Sequence, residues 1–271
     1  MFSWVDGCPA EALPLKDRGL AYGDGLFETI AVKAGAPVLL DRHLHRLEQS
    51  CLRLAIPLDT ASLRLEMMRF AAQLDSGVMK LILTRGDGQR GYAPAPDCQP
   101  RRILQAGPAP AWPVRHAEQG VRLYPCTTRL AEQPLLAGLK HLNRLEQVLA
   151  RAEWHDSEHA EGLMRDTSGR LIEGVYSNLF LVREGRLLTP DLSRCGVAGV
   201  MRAELLDQAD RLRIDTDICD LSLDDLEQAN EVFVCNSLYG VWPVHGFERL
   251  NWSIGPLTRK LQGIARTLLD I

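Results

Sequence analysis

The sequence lacks the features that mark membrane, secreted and nucleic-acid-binding proteins. It has no apolar run of the roughly 18 residues that span a bilayer, and its first residues do not show the charged-then-apolar pattern of a signal peptide. Basic residues number 31 and acidic residues 35, and a net charge of -4 argues against non-specific nucleic-acid binding. The seven cysteines are scattered without a C-x-x-C pair, which favours free thiols over disulfides or a zinc site. We therefore expect a soluble cytoplasmic protein.

The apolar content is sufficient for a large core. The chain has 271 residues, 46% of them hydrophobic, so one large domain or two ordinary domains are expected. Some segments show the hydrophobic period of strands and others that of helices. This predicts an α/β fold of the mixed kind that is also called α+β. Strands are expected at 27–32, 78–84, 102–106, 121–124, 162–165, 178–182 and 231–236. Helices are expected at 41–54, from 60, at 141–154, at 200–211 and from 256.

Two sequence features locate boundaries. The segment 107–113 contains three prolines, which remove backbone donors and favour an extended chain. We therefore expect an N-terminal α/β domain at 1–106, a linker at 107–114 and a C-terminal domain at 115–271. Ser222 with Asp225 resembles a helix start, although a full capping box prefers Glu or Gln at the later position.

Two motifs match known binding sites only in part. Gly86–Gly91 is a literal G-x-G-x-x-G after a strand, but Pro94 and Pro96 follow where a dinucleotide site needs a helix. We expect a flexible loop there instead. His155 and His159 lie four residues apart, yet Glu does not follow the first and no third ligand is evident nearby, so we expect no metal.

Three segments stand out for their order and spacing. Gly138–Gln147 places Lys140 at the start of an expected amphipathic helix. Glu173–Phe180 places a carboxylate before a polar strand start, and Gly196–Arg202 is a glycine-bearing loop that opens a helix. Each segment alone has an ordinary structural explanation, but their combination is far more specific.

Together with Tyr22–Glu28, these segments resemble the fold-type-IV pyridoxal-phosphate (PLP) enzymes. That family includes branched-chain and D-amino-acid aminotransferases and aminodeoxychorismate lyases. The resemblance extends to Cys235 and Asn236, and the run K-H-L-N-R-L-E-Q from Lys140 is most similar to the lyases. It implies two mixed α/β domains with pyridoxal 5'-phosphate bound between them, and typically a homodimer.

The resemblance also implies which residues bind the cofactor. Lys140 would hold the aldehyde as a Schiff base, since a lysine that leaves water becomes available as nucleophile and base. Glu173 would accept a hydrogen bond from the pyridine N1–H, so that the ring acts as an electron sink. Arg46 would bind the phosphate by charge-assisted hydrogen bonds, and the free amides of Val200 and Met201 at a helix start would add to it. A salt bridge at the surface is the alternative for Arg46. Further cofactor-binding candidates are Ser177, Asn178 and Asn236.

The substrate-binding candidates are less specific. Arg90 and Tyr92 lie where the D-amino-acid members carry a carboxylate-binding arginine and a second polar residue. Arg144 is one helical turn after Lys140 and would share its face, either for the same purpose or as a surface residue. Thr29, near the cofactor in a family strand, is a candidate for assisting proton transfer, with an ordinary β-branched strand residue as the alternative.

The function implied by the resemblance is a lyase reaction. The amine of 4-amino-4-deoxychorismate would replace Lys140 on the cofactor, and Lys140 would then remove the proton from the amine-bearing ring carbon. Loss of the enolpyruvyl oxygen would give pyruvate and 4-aminobenzoate, a precursor for folate synthesis. The alternatives are an aminotransferase for D-amino or branched-chain amino acids and a non-catalytic binding protein. Leu145 weakens the branched-chain reading, because those members usually carry a tyrosine there.

Overall fold

The computed structural model describes residues 1–270, in which the chain divides into two compact units. The first contains Met1–Pro110 and the short segment Leu139–Asn143, and the second contains Ala111–Gly138 and the chain from Arg144 onward. Both contain helices and sheets, so the α/β prediction is confirmed. The division after residue 110 falls inside the segment expected as a linker, whereas the return of residues 139–143 to the first unit was not predicted. Within residues 1–270, every helix is too short or too polar to span a bilayer.

The first unit is an antiparallel sheet with helices. Its six strands lie in the order β2-β1-β6-β5-β3-β4. The elements in chain order are β1 Ser3–Val5, β2 Cys8–Pro9, α1 Arg18–Tyr22, β3 Gly25–Lys33, β4 Ala36–Pro37, α2 Leu40–Leu54, α3 Thr60–Leu74, β5 Gly77–Thr84 and β6 Arg101–Gly107. The helices and strands predicted here are confirmed to within a few residues at their ends.

The alternation of strand β3 decides which residues share a face. Leu26, Glu28 and Ile30 are buried, and Glu28 bonds side chains of α2. Successive side chains of a strand point to opposite faces, so Phe27 and Thr29 lie on the face away from α2.

The second unit is built on a mixed sheet of nine strands. Its order is β12-β11-β10-β13-β14-β7-β8-β9, β15 pairs with β14, and a further β9–β10 pairing closes six strands into a ring. Strand β7 runs parallel to both β8 and β14. The elements are α4 Arg115–Glu118, β7 Val121–Leu130, α5 Leu145–Arg151, β8 His159–Asp166, β9 Leu171–Gly174, β10 Asn178–Arg183, β11 Arg186–Pro190, α6 Val200–Arg211, β12 Thr216–Cys219, α7 Leu223–Glu227, β13 Glu231–Asn236, β14 Gly240–Phe247, β15 Leu250–Asn251 and α8 Pro256–Leu269.

Local capping explains where several helices start. Ser222 Oγ accepts the N–H of Asp225, and Asp225 Oδ2 accepts the N–H of Ser222, so an aspartate completes the capping box of α7. Pro256 is the first residue of α8, as predicted. Gly199 is the N-cap of α6.

One helix prediction is wrong at its start. The helix expected to begin after Lys140 begins only at Leu145. The intervening chain is extended and pairs with β3: the Phe27 N–H donates to the Lys140 carbonyl at 2.9 Å, and the Leu142 N–H donates to the Gly25 carbonyl at 3.0 Å. Because these backbone groups bond a strand, they cannot form the first turns of a helix.

Candidate active site

The backbone of Lys140 is held in the first unit by its hydrogen bond with Phe27 of β3. Its side chain is half-buried, and its Nζ lies 4.2 Å from the centre of the Phe27 ring. The strand pairing fixes the main chain, and the ring shields one side of the amine from water. The lysine that the sequence singled out is therefore positioned by β3 rather than by a helix.

The same face of β3 carries further polar groups. Thr29 follows Phe27 by two residues, and its cross-strand partner is Lys80 of β5. The Lys80 Nζ lies 5.6 Å from the Phe27 ring centre, so two lysine amines lie near one aromatic ring. Sequence analysis missed Lys80. It lies in a predicted strand, but only the pairing of the strands shows that it is opposite Thr29.

Arg46 forms a buried ion pair with Glu28 of β3. Its Nε donates to Glu28 Oε1 at 2.8 Å, its Nη2 bonds Oε2, and His43 Nδ1 is 2.6 Å from Oε2. Burial raises the pKa of Glu28, but the charge of Arg46 and the contact with His43 bring it down to about 2. Arg46 is thus an ion-pair partner of a buried carboxylate, and its role in phosphate binding stays a prediction.

The loop predicted around Gly86–Gly91 is confirmed. Residues 85–100 connect β5 to β6 without a helix. Arg90 and Tyr92 lie on this loop and are exposed to solvent.

In the second unit, the three segments singled out from sequence meet at Glu173. This side chain is buried on β9. Its Oε2 accepts the N–H of Val197 at 2.7 Å, and its Oε1 accepts Gln147 Nε2 at 3.4 Å. A Cβ on Gly196 would lie 3.3 Å from Oε2, so glycine leaves room beside the carboxylate.

Asn178 connects this carboxylate to the start of α6. It is the cross-strand partner of Glu173, and its Nδ2 donates to the Val197 carbonyl at 2.9 Å. A side chain at Gly199 would collide with Asn178 Oδ1. Because a glycine N-cap brings no side chain of its own, it leaves the N–H groups of Val200 and Met201 without a side-chain cap from that position. Such a helix start suits an anion.

The predicted relation between Arg144 and Lys140 is wrong. Arg144 is the N-cap of α5 rather than a residue one turn along a shared helix, because the chain before it is extended. Burial lowers the pKa of Arg144, and the negative charges of Glu173 and Glu146 oppose that effect. Arg144 therefore belongs to the surroundings of Glu173.

Sequence analysis also missed a buried carboxyl, Glu161 on β8. Its Oε1 accepts the N–H groups of Gly162 at 2.8 Å and Val175 at 2.9 Å, and its Oε2 accepts the Ser177 hydroxyl at 2.7 Å. Burial raises its pKa to about 7 against these hydrogen bonds. Nothing in the local pattern distinguishes this glutamate from one that faces solvent.

Ser177 and Asn236 both stabilise the turn between β9 and β10. Ser177 does so through Glu161, while Asn236 Nδ2 donates to the Tyr176 carbonyl at 3.3 Å. Their direct contact with a cofactor stays a prediction. Among residues 1–270, no group of three or more His, Cys, Asp or Glu side chains is arranged to hold a metal ion.

Comparisons with known proteins identify the family. The family model described as amino-transferase class IV matches residues 25–247. The chain belongs to this family. It is 40% identical over 269 residues to the aminodeoxychorismate lyase of Vibrio harveyi, covering 97% of this chain and 99% of that one. It is 30% identical over 255 residues to a putative branched-chain-amino-acid aminotransferase of Methanocaldococcus jannaschii, covering 91% and 87%. The crystal structure of 4-amino-4-deoxychorismate lyase from Pseudomonas aeruginosa matches with a TM-score of 0.98 and 63% identity, covering 99% of this chain and 100% of that one.

The fold-type-IV architecture predicted from sequence is confirmed by these class-IV relatives. In this chain, the turn between β9 and β10 has Glu173 at one end and Asn178 at the other. The buried Glu161 accepts hydrogen bonds from two residues of that turn, Val175 and Ser177, and so holds the turn in place.

Glu161 makes stability depend on pH. Its pKa is about 7 when folded and 4.5 ordinarily, so the folded state binds the extra proton between those values. Stability should therefore fall by about 3 kcal/mol as the pH rises through this window, and level off above it. Glu161→Gln cannot ionise and should flatten the curve of melting temperature against pH from about 5 to 8. The exposed Glu11→Gln serves as control, and parallel curves for wild type and Glu161→Gln would contradict the assignment.

Proposed function

We propose that this protein is a PLP-dependent lyase that converts 4-amino-4-deoxychorismate to 4-aminobenzoate and pyruvate, a step of folate biosynthesis. The observation that carries the proposal is its similarity, from end to end, to two aminodeoxychorismate lyases. The aminotransferase alternative has less support, since the aminotransferase relative is less similar.

The residues present fit the cofactor of the family, pyridoxal 5'-phosphate. Glu173 is a buried acceptor suited to a protonated ring nitrogen, the start of α6 suits a phosphate, and the fixed amine of Lys140 suits an aldehyde. When bound, PLP supplies an aldehyde carbon that takes the substrate amine and a pyridine ring that accepts an electron pair.

Lys140 acts as the base in this proposal. With PLP and substrate bound, its free amine would remove the proton from the amine-bearing carbon of the substrate ring. The bond from the Phe27 N–H to its carbonyl fixes the backbone from which the side chain starts, and the Phe27 ring lies 4.2 Å from the amine. Thr29, on the face of Phe27, is the candidate for assisting proton transfer.

Glu173 acts on the ring nitrogen. Hydrogen bonds from Val197 and Gln147 favour the ionised carboxylate. An ionised acceptor holds the proton on the nitrogen, which keeps the ring a strong electron acceptor. Ser177 and Asn236 support it indirectly by holding the turn that follows.

We assign two groups to the phosphate, the cationic Arg46 and the N–H donors at the start of α6. Arg46 is fixed in place by Glu28 and His43, and the N–H groups of Val200 and Met201 open α6. Guanidinium bonds to a dianion are charge-assisted, roughly twice as strong as neutral bonds. Asn178 holds the loop before α6 through the Val197 carbonyl.

The substrate carries two carboxylates, which need positive partners. Arg90 and Tyr92 on the loop, and Arg144, are the candidates expected from the sequence. Lys80 adds a fourth because its amine lies near the Phe27 ring that also contacts Lys140.

Replacing Lys140 with alanine should abolish turnover. The measurement is pyruvate released from 4-amino-4-deoxychorismate without any keto-acid acceptor, and we expect kcat to fall at least about a hundredfold, since a general base alone contributes about 10²–10⁴. Lys260→Ala, an exposed lysine on α8, is the control. Borohydride reduction of the wild type should label Lys140.

Three outcomes would count against the proposal. Turnover that depends on a keto-acid acceptor would indicate an aminotransferase. Protein that neither binds PLP nor is labelled by borohydride would indicate a non-catalytic binding protein. Near-normal activity of Lys140→Ala would remove this lysine from the mechanism.

Glu173→Gln should slow the reaction more than it weakens cofactor binding. The amide cannot hold a proton on the ring nitrogen by charge, so we expect kcat to fall by about tenfold or more with a smaller change in PLP affinity. The two quantities are measured by steady-state kinetics and by titration of the apoenzyme. An unchanged kcat would exclude Glu173 from the electron-sink role.

We further propose that the protein is a cytoplasmic homodimer. Helix α5 carries three exposed apolar side chains: Leu145, and Val148 and Leu149, which follow it by three and four residues. Residues with this spacing share one face of a helix, and contiguous exposed apolar surface marks an interaction site. A second copy of the chain is the partner that the family implies.

Leu149→Glu should weaken this dimer, because a charge would be buried at the interface. Sedimentation of the wild type should give about twice the chain mass of 30.2 kDa, and that of the variant a smaller value at the same concentration. Leu65→Glu, which alters an equally exposed leucine on α3, is the control. A monomeric wild type would refute the proposal.

A further inference from the structure

The short helix α1 contacts the loop that carries Arg90. The Arg18 guanidinium donates to the Gly91 carbonyl at 3.2 Å through Nη1 and to the Tyr92 carbonyl at 2.8 Å through Nη2. Tyr22, four residues along and therefore on the same helical face, accepts the Gly91 N–H on its hydroxyl at 3.3 Å. Two side chains of one helix thus hold adjacent loop residues.

The Arg18 side chain is itself rigidly held. It is 4% exposed, and its Nε donates to Asp24 Oδ2 at 2.8 Å. Its guanidinium lies 5.0 Å from the centre of the Tyr22 ring, and the Tyr22 and Tyr92 rings are 5.5 Å apart. A buried arginine with its charge paired is costly to rearrange, so it is a firm anchor for the two carbonyls.

The other side of Arg90 is anchored as well. The Arg18 N–H donates to the Gly86 carbonyl at 2.9 Å, and the Gly88 N–H donates to the Lys16 carbonyl at 3.0 Å. A Cβ on Gly88 would lie 2.8 Å from the Arg18 Cδ, so the loop packs directly on this side chain. The backbone is therefore fixed two residues before Arg90 and immediately after it.

We propose that Arg18 and Tyr22 are positioning residues that set the place of Arg90, and through it the binding of a substrate carboxylate. The loop 85–100 is long and has no regular structure, and such loops are either functional or disordered. Without the anchor, the loop must be ordered each time substrate binds, which weakens binding more than it slows the chemical step. The inference rests on the proposed role of Arg90.

Arg18→Gln tests the inference with two readouts. Hydrogen exchange of the holoenzyme without substrate should become about tenfold faster at residues 86–92 and stay unchanged in β3 and β5. The KM for 4-amino-4-deoxychorismate should rise about tenfold, with kcat changed less than about threefold. In Arg18→Gln/Arg90→Gln, KM should be no higher than in Arg90→Gln alone, because the two residues act in series.

Arg85→Gln is the matched control. Arg85 is also buried and donates to the same Asp24 Oδ2, at 2.9 Å, but its other bonds go to the carbonyls of Leu54 and Ala55 and to Cys98, none of which lies within residues 86–92. We expect it to leave the exchange of residues 90–92 and KM near the wild-type values. Tyr22→Phe removes only the hydroxyl and retains the fold; it should shift exchange and KM in the direction of Arg18→Gln by about two- to threefold.

The outcomes separate the inference from the proposed function. Wild-type exchange rates in both Arg18→Gln and Tyr22→Phe would overturn the anchoring role, whatever the enzyme catalyses. Faster exchange with unchanged KM, or additive effects of Arg18→Gln and Arg90→Gln, would overturn the link to substrate. A wild type that releases no pyruvate from 4-amino-4-deoxychorismate would instead refute the proposed function.

Discussion

The pairing of residues 140–142 with strand β3 is the constraint on which the lysine depends. Two glycines of the Tyr22–Glu28 motif make this close approach possible. A Cβ on Gly25 would lie 2.9 Å from Leu142 Cδ1, and Gly23, with a φ of +65°, faces the Asn143 side chain. The Tyr22–Glu28 motif and the segment that carries Lys140, more than a hundred residues apart in sequence, are therefore two sides of one backbone contact. A Cβ on Gly25 would also collide with the Leu83 carbonyl oxygen of β5, so a larger residue would disturb β3 against both of its neighbours.

Two buried carboxyl groups in this protein show how their partners set their charge. Glu28 contacts Arg46 and His43, and its pKa falls to about 2. Glu161 receives only neutral donors, so burial prevails and its pKa rises to about 7. At Glu28 the ion pair outweighs burial and keeps the carboxylate charged, whereas at Glu161 neutral hydrogen bonds do not offset burial.

The local sequence pattern was sufficient to predict an element where the spacing of its apolar residues alone determines its buried face. Helix α2 was predicted from the spacing of Leu44, Leu47 and Cys51, which are buried as expected. It was insufficient around Lys140, where an amphipathic pattern continued across residues that are extended in the fold. There the helical preference of the sequence is overridden by hydrogen bonds to a strand more than a hundred residues earlier.

The sequence by itself determined the class-IV resemblance, the α/β class and the identity of the residues assigned to the cofactor, because these depend on residue types and their order. Only the tertiary structure decided which of them share a face or a hydrogen bond. It showed that Arg46 bonds Glu28 and that Arg144 lies near Glu173. It also showed that Arg18 donates to the loop that carries Arg90. These relations depend on strand register and on contacts between distant segments, and neither can be derived from the spacing of residues along the sequence.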